Sequence, residues 1–229
     1  MNSQTNYQDI FKNAPWLKKI TLIYNYTDLN YFKPKMVIDR NSNNIINFLG
    51  IGKYSNQKNI INLIKALDVV RNDQPNIKIK LDWYGDNFTK NNTNLHLNKV
   101  NSLIHELKLE KIICLNPTTH NILQKYQASS ALILLSYSEG LPNAACEAIS
   151  CGLPLIISDV CDNKILVDKL NGYLFDPYNP KDIAEKIISF CKKNNEEKNI
   201  MSKNRRIRAE NLFDENNYIN NHLKIISSI

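Results

Sequence analysis

The chain has no apolar run that could cross a membrane, since none of its stretches approaches about 18 consecutive apolar residues. Residues 1–9 are polar and lack the basic-then-apolar order of a secretory signal. These two absences predict a cytoplasmic protein. The composition, 43% hydrophobic and 22% charged, is that of an ordinary globular domain.

The five cysteines form no Cys-x-x-Cys pair, and no histidine lies near them at zinc-finger spacing. Neither a disulfide framework nor a metal site is therefore expected, and reduced thiols are the simpler interpretation. Cys146 and Cys151 are expected to be small core residues rather than nucleophiles. The four histidines form no recognisable constellation.

Positive charge is not concentrated in one tract. The formal net charge is +7, but the lysines are dispersed among asparagines and apolar residues, so nucleic-acid binding is not expected. The one local cluster, residues 203–208, is predicted to be a solvated helix face. Peripheral contact with the acidic inner face of a membrane is an alternative that the sequence leaves open.

Strand and helix patterns alternate from residue 45 onward. Apolar runs predict strands over 45–51, 111–115, 131–135 and 155–157, and strict alternation over 77–83 predicts a strand near a sheet edge. Helical spacing predicts helices over 59–70, 95–107, 119–127, 180–190, 202–213 and 215–226. The sequence therefore predicts an α/β fold, a Rossmann-like parallel sheet with helices on both faces and ligands at the carboxyl ends of the strands.

The first 40 residues do not follow this rhythm. Residues 20–24 form a strand-like run, and the polar, aromatic segment after them ends at Pro34, as is typical of a connection. We expect residues 1–40 to be the remnant of a preceding domain with a linker, 41–208 to be a ligand-binding domain, and 209–229 to be a terminal helix.

Two carboxylates, Glu139 and Glu147, are separated by seven residues at a predicted strand–turn–helix junction. Glu139 would lie at the carboxyl end of a strand and Glu147 within the following helix. The turn and the first helical residues offer unpaired backbone N–H groups, and the helix dipole favours an anion there. A diphosphate flanked by two hydroxyl-binding carboxylates, as in a sugar nucleotide, would fit this arrangement.

Several motifs resemble, in order, the carboxyl-terminal, donor-binding half of GT-B glycosyltransferases of family 4. Residues 24–34 are similar to the "N-G-V-D…F-x-P" linker, 48–58 to the "V-G-R…K-G" loop and 83–86 to the "V-G-D-G" strand end. Residues 139–147 match the E-x7-E motif in its "E-G-L-P-N" version, and segments 159–164 and 171–175 resemble those that follow it. The resemblance implies a retaining, metal-independent hexosyltransferase that extends a polysaccharide or glycolipid.

The resemblance also implies roles for individual residues. Glu139 would contact hydroxyls of the donor sugar, and Glu147 those of the ribose. Lys53 and Lys58 match the basic pair that grips the diphosphate and stabilises the departing nucleotide, which makes Glu139, Lys53 and Lys58 the catalytic candidates. Lys53 stands where the family usually has arginine. The positive charge is kept, but a lysine cannot form the two parallel hydrogen bonds of a guanidinium group.

The remaining predicted contacts surround the diphosphate and the base. Gly52 would let its loop approach the phosphates, and base contacts are expected from Tyr84, Gly85 and Asn116. The turn and the helix start would complete the cradle through Gly140, Leu141, Asn143 and Ala144. No cofactor is expected beyond the nucleotide-sugar donor, for which a UDP-sugar is favoured over a GDP-sugar.

The resemblance covers one half of a two-domain enzyme, so the chain alone is expected to bind a nucleotide sugar but to transfer poorly to a saccharide or lipid-linked acceptor. One alternative is a subunit of a split transferase, with a separate N-terminal acceptor-domain polypeptide docked near Phe11, Trp16 and the terminal helix. Another is a non-catalytic nucleotide-sugar binding module. A nucleotide-sugar epimerase is disfavoured, because the linker, basic loop and E-x7-E motif resemble transferases better.

Overall fold

The computed structural model describes residues 3–14, 16, 20–35, 45–86, 95–168 and 170–227. They form a six-stranded parallel sheet in the order β3-β2-β1-β4-β5-β6. The strands are β1 (Ile46–Ile51), β2 (Ile79–Tyr84), β3 (Ile113–Asn116), β4 (Ala131–Leu134), β5 (Leu155–Ser158) and β6 (Gly172–Phe175). Strand order reverses between β1 and β4, which makes the crevice at their carboxyl ends the expected ligand position.

Nine α-helices accompany the sheet in the described ranges. They are α1 (Gln4–Asn13), α2 (Ile60–Asp73), α3 (Leu95–Glu106), α4 (Ile122–Ala128), α5 (Asn143–Ser150), α6 (Asn163–Leu166), α7 (Pro180–Cys191), α8 (Asn195–Leu212) and α9 (Glu215–Ile226). The predicted fold class is confirmed. The predicted helices and strands from residue 45 onward are present, most with ends shifted by one to three residues.

Helices cover both faces of the sheet with separate apolar clusters. On one face α2, α3 and α7 pack against the strands, where the rings of Phe48 and Phe190 lie 6.0 Å apart between centroids. On the other face α4, α5, α6 and α8 bury residues such as Leu132 and Ile149. Because both faces are covered, the central strand β4 is apolar and buried along its whole length.

Some elements differ from the prediction. α8 begins at Asn195 rather than near residue 202, because Asn194 and Glu197 form a capping box that starts the helix earlier. α1, α6 and β6 were not predicted as elements. The strand-like run at residues 20–24 forms no strand, since a strand needs a ladder partner and the sheet ends at β3 and β6.

The arginines in the cluster at residues 203–208 are not a solvated helix face, so that prediction was wrong. Arg206 donates to the carbonyl of Ser150, the last residue of α5, at 2.8 Å. Arg205 and Arg208 donate to carbonyls of α6 at 3.2 and 2.6 Å. The last carbonyls of a helix lack intrahelical partners and carry partial negative charge, so guanidinium groups satisfy them well.

Arg205 is fully buried, and its Nε and Nη2 have no hydrogen-bond partner among the described residues. Burial lowers the pKa of its guanidinium to about 9, which nearby Asp168 offsets only in part. A buried charge without a full set of hydrogen bonds lowers the free energy of unfolding.

We expect Arg205→Met to raise the free energy of unfolding by about 1–2 kcal/mol, because an apolar chain of similar length removes this buried charge. Urea denaturation would measure the change, and a lower unfolding midpoint would contradict it.

Candidate functional site

Lys58 and Glu139 meet at the switch point between β1 and β4. Lys58 ends a short 3₁₀ turn (Asn56–Lys58) ahead of α2, and Glu139 lies in the turn between β4 and α5. The Lys58 ammonium forms an ion pair with Glu139 Oε1, which also accepts a hydrogen bond of 2.7 Å from Ser136 Oγ. The structure therefore brings together two residues that the sequence analysis assigned to the diphosphate and the sugar.

The loops that carry this pair are tied to each other. The backbone N–H of Tyr137 donates to the Gln57 carbonyl at 3.0 Å. The Gln57 side chain donates back to the Ser138 carbonyl at 2.9 Å. These reciprocal bonds hold the β1–α2 and β4–α5 loops in one arrangement, so the positions of the ammonium and the carboxylate do not depend on their ion pair alone.

Gly52 and Gly85 allow a close approach of the ends of β1 and β2. Gly52 has φ +155°, and a Cβ there would lie 3.0 Å from carbons of the Lys58 side chain. A Cβ on Gly85 would lie only 2.0 Å from the Gly52 carbonyl oxygen. That oxygen accepts a hydrogen bond of 2.9 Å from Trp83 Nε1. The two glycines thus leave room for the loop that presents Lys58.

Lys53 is exposed and forms no ion pair with another described residue. Its ammonium is therefore available to an anion at this edge of the sheet. A further cation that the sequence analysis did not find is Lys125 on α4, whose Nζ lies 5.1 Å from the centroid of the Tyr84 ring. Its proximity depends on how α4 packs beside β2, which no local pattern reveals.

The beginning of α5 presents unpaired amides, as predicted. Pro142 precedes the helix, and its carbonyl accepts from the N–H groups of Ala145 and Cys146. Among the described residues, the N–H groups of Leu141, Asn143 and Ala144 have no acceptor. Free amides at a helix start, with the positive end of the dipole behind them, favour an anion.

Glu147 lies four residues into α5 and accepts a hydrogen bond of 2.7 Å from the Tyr126 hydroxyl. Burial raises the pKa of Glu147, and the bond from Tyr126 lowers it in part. Tyr126 is buried in the core, and its hydroxyl orients this carboxylate. Its position on α4 places it beside α5 only in the folded chain.

A cavity of about 360 Å³ adjoins Glu147. It is lined by the side of α5 that carries Asn143 and Glu147, by linker residues 25–28 and Phe32, and by Tyr218 of α9. Asn25 donates to the side-chain oxygen of Asn143 at 2.9 Å. The predicted linker is therefore part of the wall of this cavity, and Arg206 holds it there by donating to the Leu29 and Phe32 carbonyls.

The residues predicted to contact the base lie together at the ends of β2 and β3. The N–H of Gly85 donates to the Asn116 carbonyl at 3.1 Å. The side-chain amide of Asn116 donates to the carbonyls of Trp83 and Cys114, each at 3.3 Å. Its donors are thus committed to the sheet, whereas the Tyr84 ring remains half-buried at the edge.

The structure also bears on metal binding, on the cysteines and on membrane-spanning helices. In the ranges that the structure describes, no group of three or more His, Cys, Asp or Glu residues is arranged to hold a metal ion. All five cysteines are free, and Cys146 and Cys151 lie in the core as predicted. No described helix is both long and apolar enough to span a bilayer.

Proteins of known structure share this fold. HepE of Anabaena, in complex with UDP and glucose, superposes with a TM-score of 0.86 at 21% identity, covering 100% of this chain and 62% of that one. A mutant of TarM from S. aureus, in complex with Fondaparinux, alpha-GlcNAc-glycerol and UDP, gives 0.80 at 18% identity, covering 97% and 42%. These neighbours have the GT-B fold, so the α/β architecture predicted from the sequence is confirmed.

Sequence relatives agree with the structural neighbours. The poly(glycerol-phosphate) alpha-glucosyltransferase of Bacillus subtilis is 27% identical over 144 residues, which are 62% of this chain and 20% of that protein. The chain thus spans about a fifth of the length of this curated relative. The model of the family "Glycosyl transferases group 1" matches residues 37–208, which is most of the chain. The chain therefore belongs to the glycosyl transferases group 1 family.

Proposed function

We propose that this chain is the donor-binding half of a family 4 glycosyltransferase, a retaining, metal-independent enzyme that transfers a hexose from a UDP-sugar to a saccharide or lipid-linked acceptor. One observation carries the proposal: the Lys58–Glu139 pair lies beside unpaired amides at the start of α5. This edge of the sheet offers a cation and N–H donors for a diphosphate, next to a carboxylate for hydroxyl groups.

The ion pair suggests how the donor engages the site. A diphosphate offers the Lys58 ammonium more negative charge than one carboxylate does, and exposed Lys53 adds a second cation. Binding would draw Lys58 onto the phosphates and free Glu139 to accept hydrogen bonds from the sugar hydroxyls. During transfer the same lysines would stabilise the negative charge on the departing nucleotide without a metal ion.

Glu147 is proposed to hold the ribose. Its carboxylate is oriented by Tyr126 and faces the cavity that adjoins α5. An ionised carboxylate accepts from two vicinal hydroxyls, which a ribose presents. The structural neighbours HepE and TarM were both solved with UDP, which supports a uridine nucleotide as the donor carrier.

The acceptor is proposed to be a hydroxyl of a polysaccharide or glycolipid. The Bacillus subtilis relative is named for a poly(glycerol-phosphate) substrate, and TarM was crystallised with alpha-GlcNAc-glycerol. Both names point to hydroxyl-bearing polymers or their fragments.

A split enzyme is the second candidate, and the surface of α9 favours it. The helix buries no residue, and Ile219, Leu223 and Ile226 are exposed at positions that share one face. Trp16 is also exposed, while the side chain of Phe11 lies outside the described residues. Such a face is suited to a docked acceptor-binding domain. A non-catalytic module would instead bind a donor that no added acceptor domain converts into product.

Glu147→Gln is the direct test of the proposed donor site. We expect the variant to bind UDP about 10-fold more weakly in isothermal titration calorimetry, because neutral hydrogen bonds replace charge-assisted ones.

The affinity for UDP should also depend on pH. Burial raises the pKa of Glu147, so the affinity of the wild type for UDP should fall as the pH is lowered from neutral to mildly acid. The glutamine variant should lack that part of the pH dependence.

The control for Glu147→Gln is its stability. A carboxyl whose pKa is raised by folding contributes stability below its unfolded pKa and loses it as the pH rises through the folded value. At neutral pH the ionised Glu147 therefore lowers the free energy of unfolding. Its replacement by glutamine should not lower that free energy further. Wild-type chain that binds no UDP, GDP or ADP sugar would refute the proposed function.

A further inference from the structure

The beginning of α1 lies against the turn that carries Glu139. Ser3 is fully buried, and a Cβ built on Gly140 would lie 3.3 Å from Ser3 Cβ. Gly140 directly follows Glu139, the carboxylate proposed for the sugar hydroxyls. The amino-terminal segment therefore forms a wall of the site on its sugar side, although the sequence analysis placed it in a preceding domain.

Asp162 fastens this segment. Asp162 is 4% exposed, and its carboxylate accepts hydrogen bonds from the backbone N–H groups of Gln4 and Thr5, the latter at 3.1 Å. It also accepts from the Thr5 hydroxyl at 2.8 Å. A carboxylate at this place satisfies unpaired amides of the first turn and complements the helix dipole.

The carboxylate of Asp162 serves α1 rather than its own helix. Asp162 directly precedes α6, yet its side chain makes no capping bond there. The residue before it, Cys161, has φ +47°, an uncommon value for a residue with a side chain. Backbone strain of this kind persists where the surroundings hold it, and here it accompanies a carboxylate turned toward α1.

We infer that Asp162 is a positioning residue for the donor sugar: by capping α1 it holds Ser3 against Gly140 and so keeps the turn of Glu139 in place. The inference rests on the proposed function, because Glu139 is the sugar contact only if that function holds. The loop of Lys58 is held by the bonds of Gln57 with Tyr137 and Ser138, and neither bond involves α1. Loss of the cap should therefore weaken recognition of the sugar and leave nucleotide binding unchanged.

Calorimetric titration of UDP and UDP-glucose tests the inference. For Asp162→Asn, which keeps one acceptor oxygen, we expect a loss of about threefold in affinity for UDP-glucose, and for Asp162→Ala about 10-fold, with UDP affinity unchanged in both. Thr5→Val removes only the hydroxyl bond and should match Asp162→Asn. Asp159→Asn is the matched control, since Asp159 lies in the same loop and contacts exposed Lys164 rather than α1.

Hydrogen exchange supplies a readout that needs no donor. The amides of Glu139 and Gly140 should exchange faster in Asp162→Ala than in the wild type or in Asp159→Asn, whereas those of Asn143 and Ala144 should not change. Equal losses for UDP and UDP-glucose, or no loss for either, would overturn the inference while leaving the donor site intact. A wild-type chain that does not bind UDP would overturn the proposed function itself, and this inference with it.

Discussion

Lys58→Ala is expected to lower the affinity of the chain for UDP by about 10- to 100-fold, the range that follows from losing a charge-assisted hydrogen bond to phosphate. The loss has two sources. The phosphates lose their cation, and Glu139, now without its ion pair, repels them from the same edge of the sheet. Isothermal titration with UDP measures the change.

Lys58→Arg separates charge from shape. The variant keeps the positive charge, so at least half of the lost binding free energy should return, although the bulkier guanidinium group has to fit beside Gly52. The control is Lys193→Ala, because the Lys193 ammonium also forms an ion pair, with Glu197 at 3.0 Å, but at the junction of α7 and α8. If both alanine variants bound UDP as the wild type does, Lys58 would have no role in holding the diphosphate.

Gly85→Ala is expected to lower the free energy of unfolding by about 3 kcal/mol or more and to abolish UDP binding together with it. The added Cβ would lie 2.0 Å from the Gly52 carbonyl oxygen. That oxygen is backbone, and it is held by the bond from Trp83 Nε1, so it cannot swing away as a long side chain would. Relief requires the ends of β1 and β2 to separate, which displaces the loop of Lys58.

The control for Gly85→Ala is Gly140→Ala, whose Cβ would meet nothing closer than 3.3 Å. We expect Gly140→Ala to change the free energy of unfolding by less than about 1 kcal/mol. Urea denaturation of both variants measures the difference. A Gly85→Ala protein as stable as the wild type would show that the two strand ends can move apart at little cost.

The sequence predicted the fold well wherever apolar spacing alone decides the element. The run over residues 131–135 became the buried strand β4, and the spacing over 215–226 became α9. It predicted less where structure depends on capping or on partners. The start of α8 was predicted too late because its capping box lies in a polar stretch, and residues 20–24 lack a neighbouring strand.

The candidate site shows the same division. Glu139, Glu147 and the amides of α5 could be found from the sequence, because a strand end, a turn and a helix start are local features. Tyr126 and Asp162 were not assigned roles in the site. Tyr126 lies 21 residues from its partner Glu147, and Asp162 lies 157 from Thr5, so no local spacing relates them.

By itself, the sequence determined a parallel α/β sheet and predicted an anion site at one edge of it, because strand and helix periods and turn residues are encoded within short segments. The tertiary structure alone decided that Lys58 faces Glu139 across 81 residues of chain and that Asp162 caps α1. Those contacts depend on the order of the strands and on how the loops pack above them. Hydrophobic periodicity specifies which face of an element is buried but not which polar side chains meet at its end.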